Sequence, residues 1–523
     1  MKRFFALALA LALALSAAAC GGGNGGNNSD PGSQAGTSQN VPGDPAAEPQ
    51  YKEEVVIALR MQVTTLDPQA LTNTVQNQVL KLFHGTLVDL DTVTNEIKPD
   101  LADSWNWVDD KTIEFTLNAN AKFHNGEPVT AQDVLFTMER GKDGVASKSR
   151  VGLFEKVEAV DEKTVRLTLK SPNQDLLDTL SLPVCSILSE KAFADDPEEG
   201  YKIGAGVWVL DEFVTNDYMA FHRFEDYHRE LTPTKKLKVR YIPEDSARAI
   251  ALQTGEIDLC DNVVPIDIAA LEDDPNVDVI TYDSPNCQYF AFNYQNKQSP
   301  VNNKLVRHAI AHAIKRDEII MACKDGYGVP GKTFWGSNQY GYYDGFEGYD
   351  YDPEKARSLL AEAGYPNGLE LTITCVSGER VVSAEVIQAQ LKEIGITLNI
   401  NEVDTAGMTS AVTSGDFECC LYGIGFNSAG DDVRRIYYTT GSNNRSWYTN
   451  EEVDRLIDEA VGESDDAKRK DLYRQIQEIA AEDLPVICLY YENGIVGCAK
   501  GLGGIQWGCS SANDMSGVYV QVA

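Results

Sequence analysis

Basic side chains are scarce in this chain, and most of the usual catalytic signatures are missing. Across 523 residues, 45 Lys and Arg stand against 79 Asp and Glu, a formal net charge of −34. A field of that sign repels phosphate backbones and anionic headgroups, which excludes nucleic acid as a partner on electrostatic grounds. Cysteine occurs 11 times, but no CxxC pair does, so neither a zinc ribbon nor a thioredoxin-type motif is present. With Cys20 set aside, the other cysteines are scattered and read as buried free thiols, with no disulfide pairing assignable. No GxSxG elbow and no Walker A loop appears, and no carboxylate pair stands out as catalytic. Beyond the N-terminus no stretch approaches 18 consecutive apolar residues, so the body is expected to be soluble.

The N-terminus is different. Lys2 and Arg3 precede an apolar run over residues 4–15, and Ser16-Ala17-Ala18-Ala19 supplies small side chains for a signal peptidase. That run is shorter than the roughly 20 residues a membrane span needs, so residues 1–19 read as an export signal. Cys20 with Gly21-Gly22-Gly23 resembles a bacterial lipobox, with Ala17 where Leu is usual, which makes Cys20 the expected lipidation site. Residues 20–50 are rich in Gly, Asn, Ser, Pro and Gln and lack apolar bulk. Such a segment cannot offset its ordering entropy and reads as a flexible tether.

The body mixes periodicities. Residues 55–59 form an apolar strand. Two hairpin-like segments, at 107–117 and 159–169, each alternate with period two after an acidic turn. Between them a helix over 130–140 is expected, with Thr130 capping and Asp133 completing a capping box. Helices are expected at 245–254, stopped by Gly255, and at 303–314. Another opens at Asp352-Pro353 and closes at Gly364. From there strands (369–376, 396–403, 416–424) alternate with helices (381–394, 406–414), which implies a parallel sheet covered on both faces. Helices at 451–461 and 467–481 and a strand at 485–491 follow. Residues 501–508, rich in Gly, are expected to return to the first lobe.

Three segments imitate functional motifs. His308 and His312 lie one helical turn apart, but Ala309 stands where a zinc protease needs Glu, so they read as structural and no metal site is expected. Gly423 to Gly430 superficially resembles a dinucleotide loop, but its third Gly is misplaced and no suitable helix is expected to follow. Tyr340, Tyr342, Tyr343, Tyr349 and Tyr351 form either a sugar-stacking surface or a loop packed on its own rings.

Taken in order, several segments resemble family 5 solute-binding proteins of ABC importers, the group with dipeptide, oligopeptide and nickel receptors. They are Thr65-Leu66-Asp67-Pro68, Leu101-Ala102-Asp103-Ser104-Trp105, and Lys122-Phe123-His124-Asn125-Gly126-Glu127-Pro128-Val129-Thr130-Ala131-Gln132-Asp133-Val134. Leu252 to Asp258, Phe292-Asn293 and Val306 to Ile310 complete the set. The resemblance implies an α/β, two-lobe periplasmic-binding-protein-like fold of class II type. It places lobe I at 51–285, completed by 499–523 and carrying an extra subdomain at 86–200, and lobe II at 286–498. It implies a non-enzymatic, monomeric receptor without a cofactor, which captures a peptide and delivers it to membrane permease subunits from the outer face of the cell membrane. An oligosaccharide, opine-like compound or metal complex is the alternative ligand, and a surface-anchored hydrolase the alternative activity. Peptide-binding members carry an Asp after the strand at 416–424; here that position is Asn427, followed by Asp431 and Asp432. Those three are the expected polar contacts, with Leu71, Asn73, Tyr289 and Trp335 as expected walls. Gly204-Ala205-Gly206-Val207-Trp208 departs from the family's turn and reads as a structural change.

Overall fold

Two long strands carry the architecture. In a computed structural model that describes residues 49–70, 73–336, 339–346, 348–426, 429–508 and 513–522, Val277–Phe292 and Val486–Ala499 run antiparallel through the middle of an eleven-stranded sheet. On one side of them lie Cys419–Gly425, Leu369–Val376 and Ile396–Val403, with Leu369–Val376 parallel to both neighbours. On the other lie Leu259–Cys260, Glu54–Leu59, Lys236–Tyr241, Tyr218–Arg223 and Trp208–Val214. The expected export signal, Cys20, Leu71 and Asn427 fall outside the described residues.

Pairing between the long strands holds from Val277↔Ala499 to Asp283↔Asn493, breaks, and resumes at Cys287↔Tyr491. The break falls on Ser284-Pro285-Asn286, where Pro285 has no N–H to give to a ladder. Two bonded stretches are therefore joined by an irregular one, and the two halves of the molecule meet there.

Each half has its own core. Phe290, Phe292, Ile373 and Cys419 pack on one face of the first half, and Tyr289, Ala291 and Cys420 on the other. Adjacent Cys419 and Cys420 thus point to opposite faces, as strand geometry requires. All nine described cysteines are free thiols. The second half buries Val55, Ile57, Trp208 and Phe221 on one face and Ala58, Leu252 and Leu271 on the other. A separate four-stranded antiparallel sheet, ordered Ala102–Trp107, Thr112–Leu117, Thr164–Leu169, Phe154–Ala159, is covered by helix Ala131–Gly141. Thr130 N–H donates to Asp133 Oδ2 at 2.9 Å in the expected capping box.

The segments that carry the family resemblance turn out to be pins. Asp67 accepts two bonds from the Arg140 guanidinium, at 2.6 and 3.1 Å, and so fixes helix Ala131–Gly141. Asp258 accepts from Lys52 at 2.7 Å and from Val56 N–H at 2.9 Å, while its carbonyl takes Ala499 N–H at 2.8 Å. Asn293 donates to the carbonyls of Gly415 and Phe417 at 2.8 and 2.7 Å. Gly206 N–H reaches Phe83 O at 3.0 Å, and a side chain at Gly204 or Gly206 would collide with the backbone of Phe83. The altered turn keeps the two glycines this approach needs.

Three sequence expectations are corrected. Gln50, the last residue of the expected tether, already pairs with Val522. The strand expected at 485–491 runs on to Ala499. A helix, Ala429–Tyr437, does follow Gly423 to Gly425 closely. Near the C-terminus, Leu502–Gly503 pairs with Tyr519–Val522, and Trp507 packs beside the Val55 cluster.

Arg248 offers a test of the frame. Its side chain is fully enclosed and donates to the carbonyls of Ile242, Pro243 and Asn262 at 2.8, 3.0 and 3.2 Å, while pairing with Asp245. Arg248→Ala strips several buried carbonyls of their donor at once and is expected to cost about 3 kcal/mol in urea unfolding. A loss within ~0.5 kcal/mol of zero, the range of ordinary surface changes, would refute this role.

Candidate functional site

A cavity of about 630 Å³ lies where these parts converge. Its walls come from distant stretches of chain. Asn73 caps helix Thr74–Phe83, its Oδ1 accepting from Gln76 N–H at 2.9 Å, and lines the cavity together with Asn77. Arg150, Asp175, Asp178 and Thr179 enter from the part of the chain that holds the four-stranded sheet. Asn286 enters from the break in the long strands and Gly425 from the end of strand Cys419–Gly425. Gly430, Arg434 and Arg435 come from helix Ala429–Tyr437, and Tyr438 follows it.

Charges of both signs face this space, and most are already engaged. Asp175 is buried and paired with Arg469 of helix Asp466–Asp483. Arg434 pairs with Asp458 at 2.6 Å and lies over the Tyr438 ring, 4.5 Å from its centroid. Arg435 pairs with Asp432 at 3.0 Å. Two groups differ. Arg150 makes only a 3.3 Å bond to the carbonyl of Ala146 and has no ion-pair partner among the described residues. Asp178 is half-buried, and its carboxyl is pushed up to about 7 by burial and then by the neighbouring Asp175 carboxylate, with Arg469 opposing.

The sequence-expected site residues separate. Asn73 lies at the cavity. Asp432 is buried and serves it indirectly, through Arg435. Asp431 lies in the helix that lines it, but its side chain is not described. Tyr289 and Trp335 sit in the core instead: Tyr289 is 1% exposed and edge-on to Phe334, and Trp335 stacks on Tyr437. Their apolar bulk made them look like walls, but the same bulk suits a core equally well. Within the Tyr-rich stretch, Tyr340 donates to Asp466 of helix Asp466–Asp483 at 2.9 Å and lies edge-on to Tyr473, whereas Tyr351 donates to Glu393 at 3.0 Å. His308 and His312 bond the backbone carbonyls of Glu482 and Asp350, at 2.9 and 2.8 Å. Sequence reasoning missed Arg150, Asp175, Asp178, Arg434 and Arg435. The doublet Arg434-Arg435, next to Asp431-Asp432 in so acidic a chain, was the one available signal.

The closeness of the walls depends on a glycine. A methyl group at Gly430 would overlap the Asp175 carboxylate, and nearby Gln174 N–H bonds the carbonyl of Val461 at 2.8 Å. The two long strands thus join both parts of one sheet, and a polar cavity lies where those parts meet.

The comparisons make this specific. The family described as "Bacterial extracellular solute-binding proteins, family 5 Middle" matches residues 96–446, and the chain belongs to it. It is 29% identical to heme-binding protein A of Haemophilus influenzae, over 79% of this chain and 82% of that protein. It is 28% identical to glutathione-binding protein GsiB of Escherichia coli strain K12, over 86% and 91%. The ABC transporter-associated periplasmic binding protein DppA of Helicobacter pylori, solved with the peptide STSA, superposes with a TM-score of 0.74 at 27% identity, covering 90% of this chain and 99% of that one. The protein is a substrate-binding protein of an ABC transporter, and among the described residues no helix is long and apolar enough to cross a membrane.

Gly430→Ala should leave both halves folded while keeping these walls apart. Ligand affinity is expected to fall at least about tenfold, equivalent to 1.4 kcal/mol, with a larger radius of gyration by X-ray scattering in the presence of ligand. Wild-type affinity together with wild-type dimensions would contradict the close approach at Gly430.

Proposed function

We propose that this protein captures a peptide outside the membrane and delivers it to the permease of its transporter. The observation that carries this reading is the cavity of about 630 Å³ presenting carboxyl and guanidinium groups together. Its volume is that of a small-molecule site, and its paired signs suit a ligand with both an ammonium and a carboxylate. Arg150, which lacks an ion-pair partner among the described residues, is positioned as the receiver of the carboxylate; a charge-assisted bond there is stronger than a neutral one. The names of GsiB and the peptide complex of the Helicobacter protein point the same way.

In this reading lobe I comprises 51–285 with 499–523 and carries the subdomain at 86–200, and lobe II comprises 286–498. The lobes close over the ligand about the break at Ser284-Pro285-Asn286. The chain works as a monomer, without catalysis, held at the cell surface by a lipid on Cys20 after removal of residues 1–19.

A thermal-shift panel of dipeptides, tripeptides, oligosaccharides and nickel–histidine complexes tests the ligand class. Peptides at 100-fold over their dissociation constant should stabilise the protein by about 2.7 kcal/mol. Stabilisation by sugars or nickel complexes, with none by any peptide, would sink the peptide reading. For the anchor, Cys20→Ala should release the protein from the cell surface into the medium or periplasm. Unchanged fractionation with membranes would count against lipidation.

A further inference from the structure

Resting on that peptide reading, a more specific assignment follows from how charge is distributed around the cavity. Asp175 and Asp178 are three residues apart, one at the start of and one within the short helix Leu176–Leu180, so they share a face. Both line the cavity. They are not equivalent. Asp175 is held by Arg469, whereas the Asp178 carboxyl has no ion-pair partner among the described residues. The cations that could neutralise it are committed elsewhere: Arg469 to Asp175, Arg434 to Asp458 and Arg435 to Asp432. Arg150 is the exception, and it is not among the groups that perturb Asp178.

We propose that Asp178 is the cation-accepting residue of the cavity and receives the ammonium group of the bound peptide. A carboxyl facing an enclosed polar space beside a second carboxylate is destabilised when ionised and gains most from an incoming cation. Its neighbours on each packed element support the assignment. Asp175 on its own helix raises the local negative potential, Arg469 is spent on Asp175, and Tyr438 bonds Asp458 at 3.1 Å. An ammonium between Asp178 and Asp175 would meet one carboxyl that is free to ionise and one carboxylate already charged.

This arrangement couples binding to protons. Burial holds the Asp178 carboxyl near 7, so at neutral pH part of the population is protonated and must lose that proton as the ammonium arrives. Affinity for free-amine peptides should therefore fall as pH drops below about 7, approaching tenfold per unit, and flatten above it. For stability the sign is opposite. A carboxyl with a raised folded-state pKa favours the fold while protonated, and that contribution is lost as pH rises from the ordinary Asp range through 7. Asp178→Asn removes the loss and should be at least as stable as wild type at pH 8.

The experiment is calorimetric titration at pH 6, 7 and 8, in two buffers of different ionisation enthalpy, with wild type and Asp178→Asn. The probes are a defined pool of free-amine di- and tripeptides and the same pool N-acetylated. Expected are a preference of wild type for the free amines, proton release near pH 7, and at least a tenfold loss with loss of proton release in Asp178→Asn. Unfolding curves for both proteins exclude misfolding as the cause. Free-amine peptides that bind wild type and Asp178→Asn alike, with no proton release, would overturn the role of Asp178 and leave the peptide reading intact. Failure of every peptide to bind wild type would overturn both.

Discussion

Everything in this molecule hangs on one pair of crossing strands. Val277–Phe292 and Val486–Ala499 belong to both halves of the sheet, and their pairing lapses around Ser284-Pro285-Asn286, with a further register shift between Gln288 and Tyr289. A continuous ladder would weld the halves into one slab, because each regular backbone pair resists shear. A connection made only of loops would leave their orientation undefined. A bonded stretch, a break and a second bonded stretch give defined alignment and, in the proposed closure, a place to bend. Side chains around the break reinforce it without closing it: Asn493 reaches Asp283 at 3.1 Å, and Gln288 reaches Glu492 at 3.1 Å. Asn286 lies within the break and also lines the cavity, so a ligand would touch the bend itself.

The overall charge and the local charge tell different stories. The chain carries −34, yet the cavity wall holds Arg150, Arg434 and Arg435 alongside two aspartates. Engaging Arg434 with Asp458 and Arg435 with Asp432 keeps guanidinium groups in place where desolvation would otherwise penalise them. The excess of acid lies largely outside the cavity wall, where basic and acidic groups stand together. In a chain with so many carboxylates, the informative one is the carboxyl at the cavity wall with no ion-pair partner among the described residues.

This explains what was legible beforehand. Periodicity located the alternating strands and helices over 369–414, because each buries a regular face, and the capping box at Thr130 is a local chemical pattern. The segments that revealed the family proved to be frame pins: Asp67 on Arg140, Asp258 on Lys52 and Val56, Asn293 on two carbonyls. Such pins demand one residue type each, so they stand out in sequence. Strand Val277–Phe292 was overlooked because Pro285 interrupts it, and a proline inside an apolar run argues against a central strand. Helix Ala429–Tyr437 was overlooked because glycines and polar residues crowd its start. The cavity residues were invisible for another reason: Arg150, Asp178 and Arg434 lie far apart in the chain, and each is an ordinary charged residue until the fold brings it to the wall.

Closure, finally, cannot depend on the walls alone. Contacts across the cleft include the Asp175–Arg469 pair and the Gln174–Val461 backbone bond. A single ion pair of this kind offsets much of its attraction with the cost of desolvating both partners, so in the proposed closure it would bias the equilibrium between open and closed forms without dominating it. A ligand shifts such an equilibrium only by its difference in affinity for the two forms. Under the proposed closure, groups from both sides of the cavity would therefore have to engage the same molecule at once. Asn73, Arg150 and Asp178 on one side and Arg434 and Arg435 on the other meet that requirement. A solute that touched one wall alone would bind the open form equally well and leave it open.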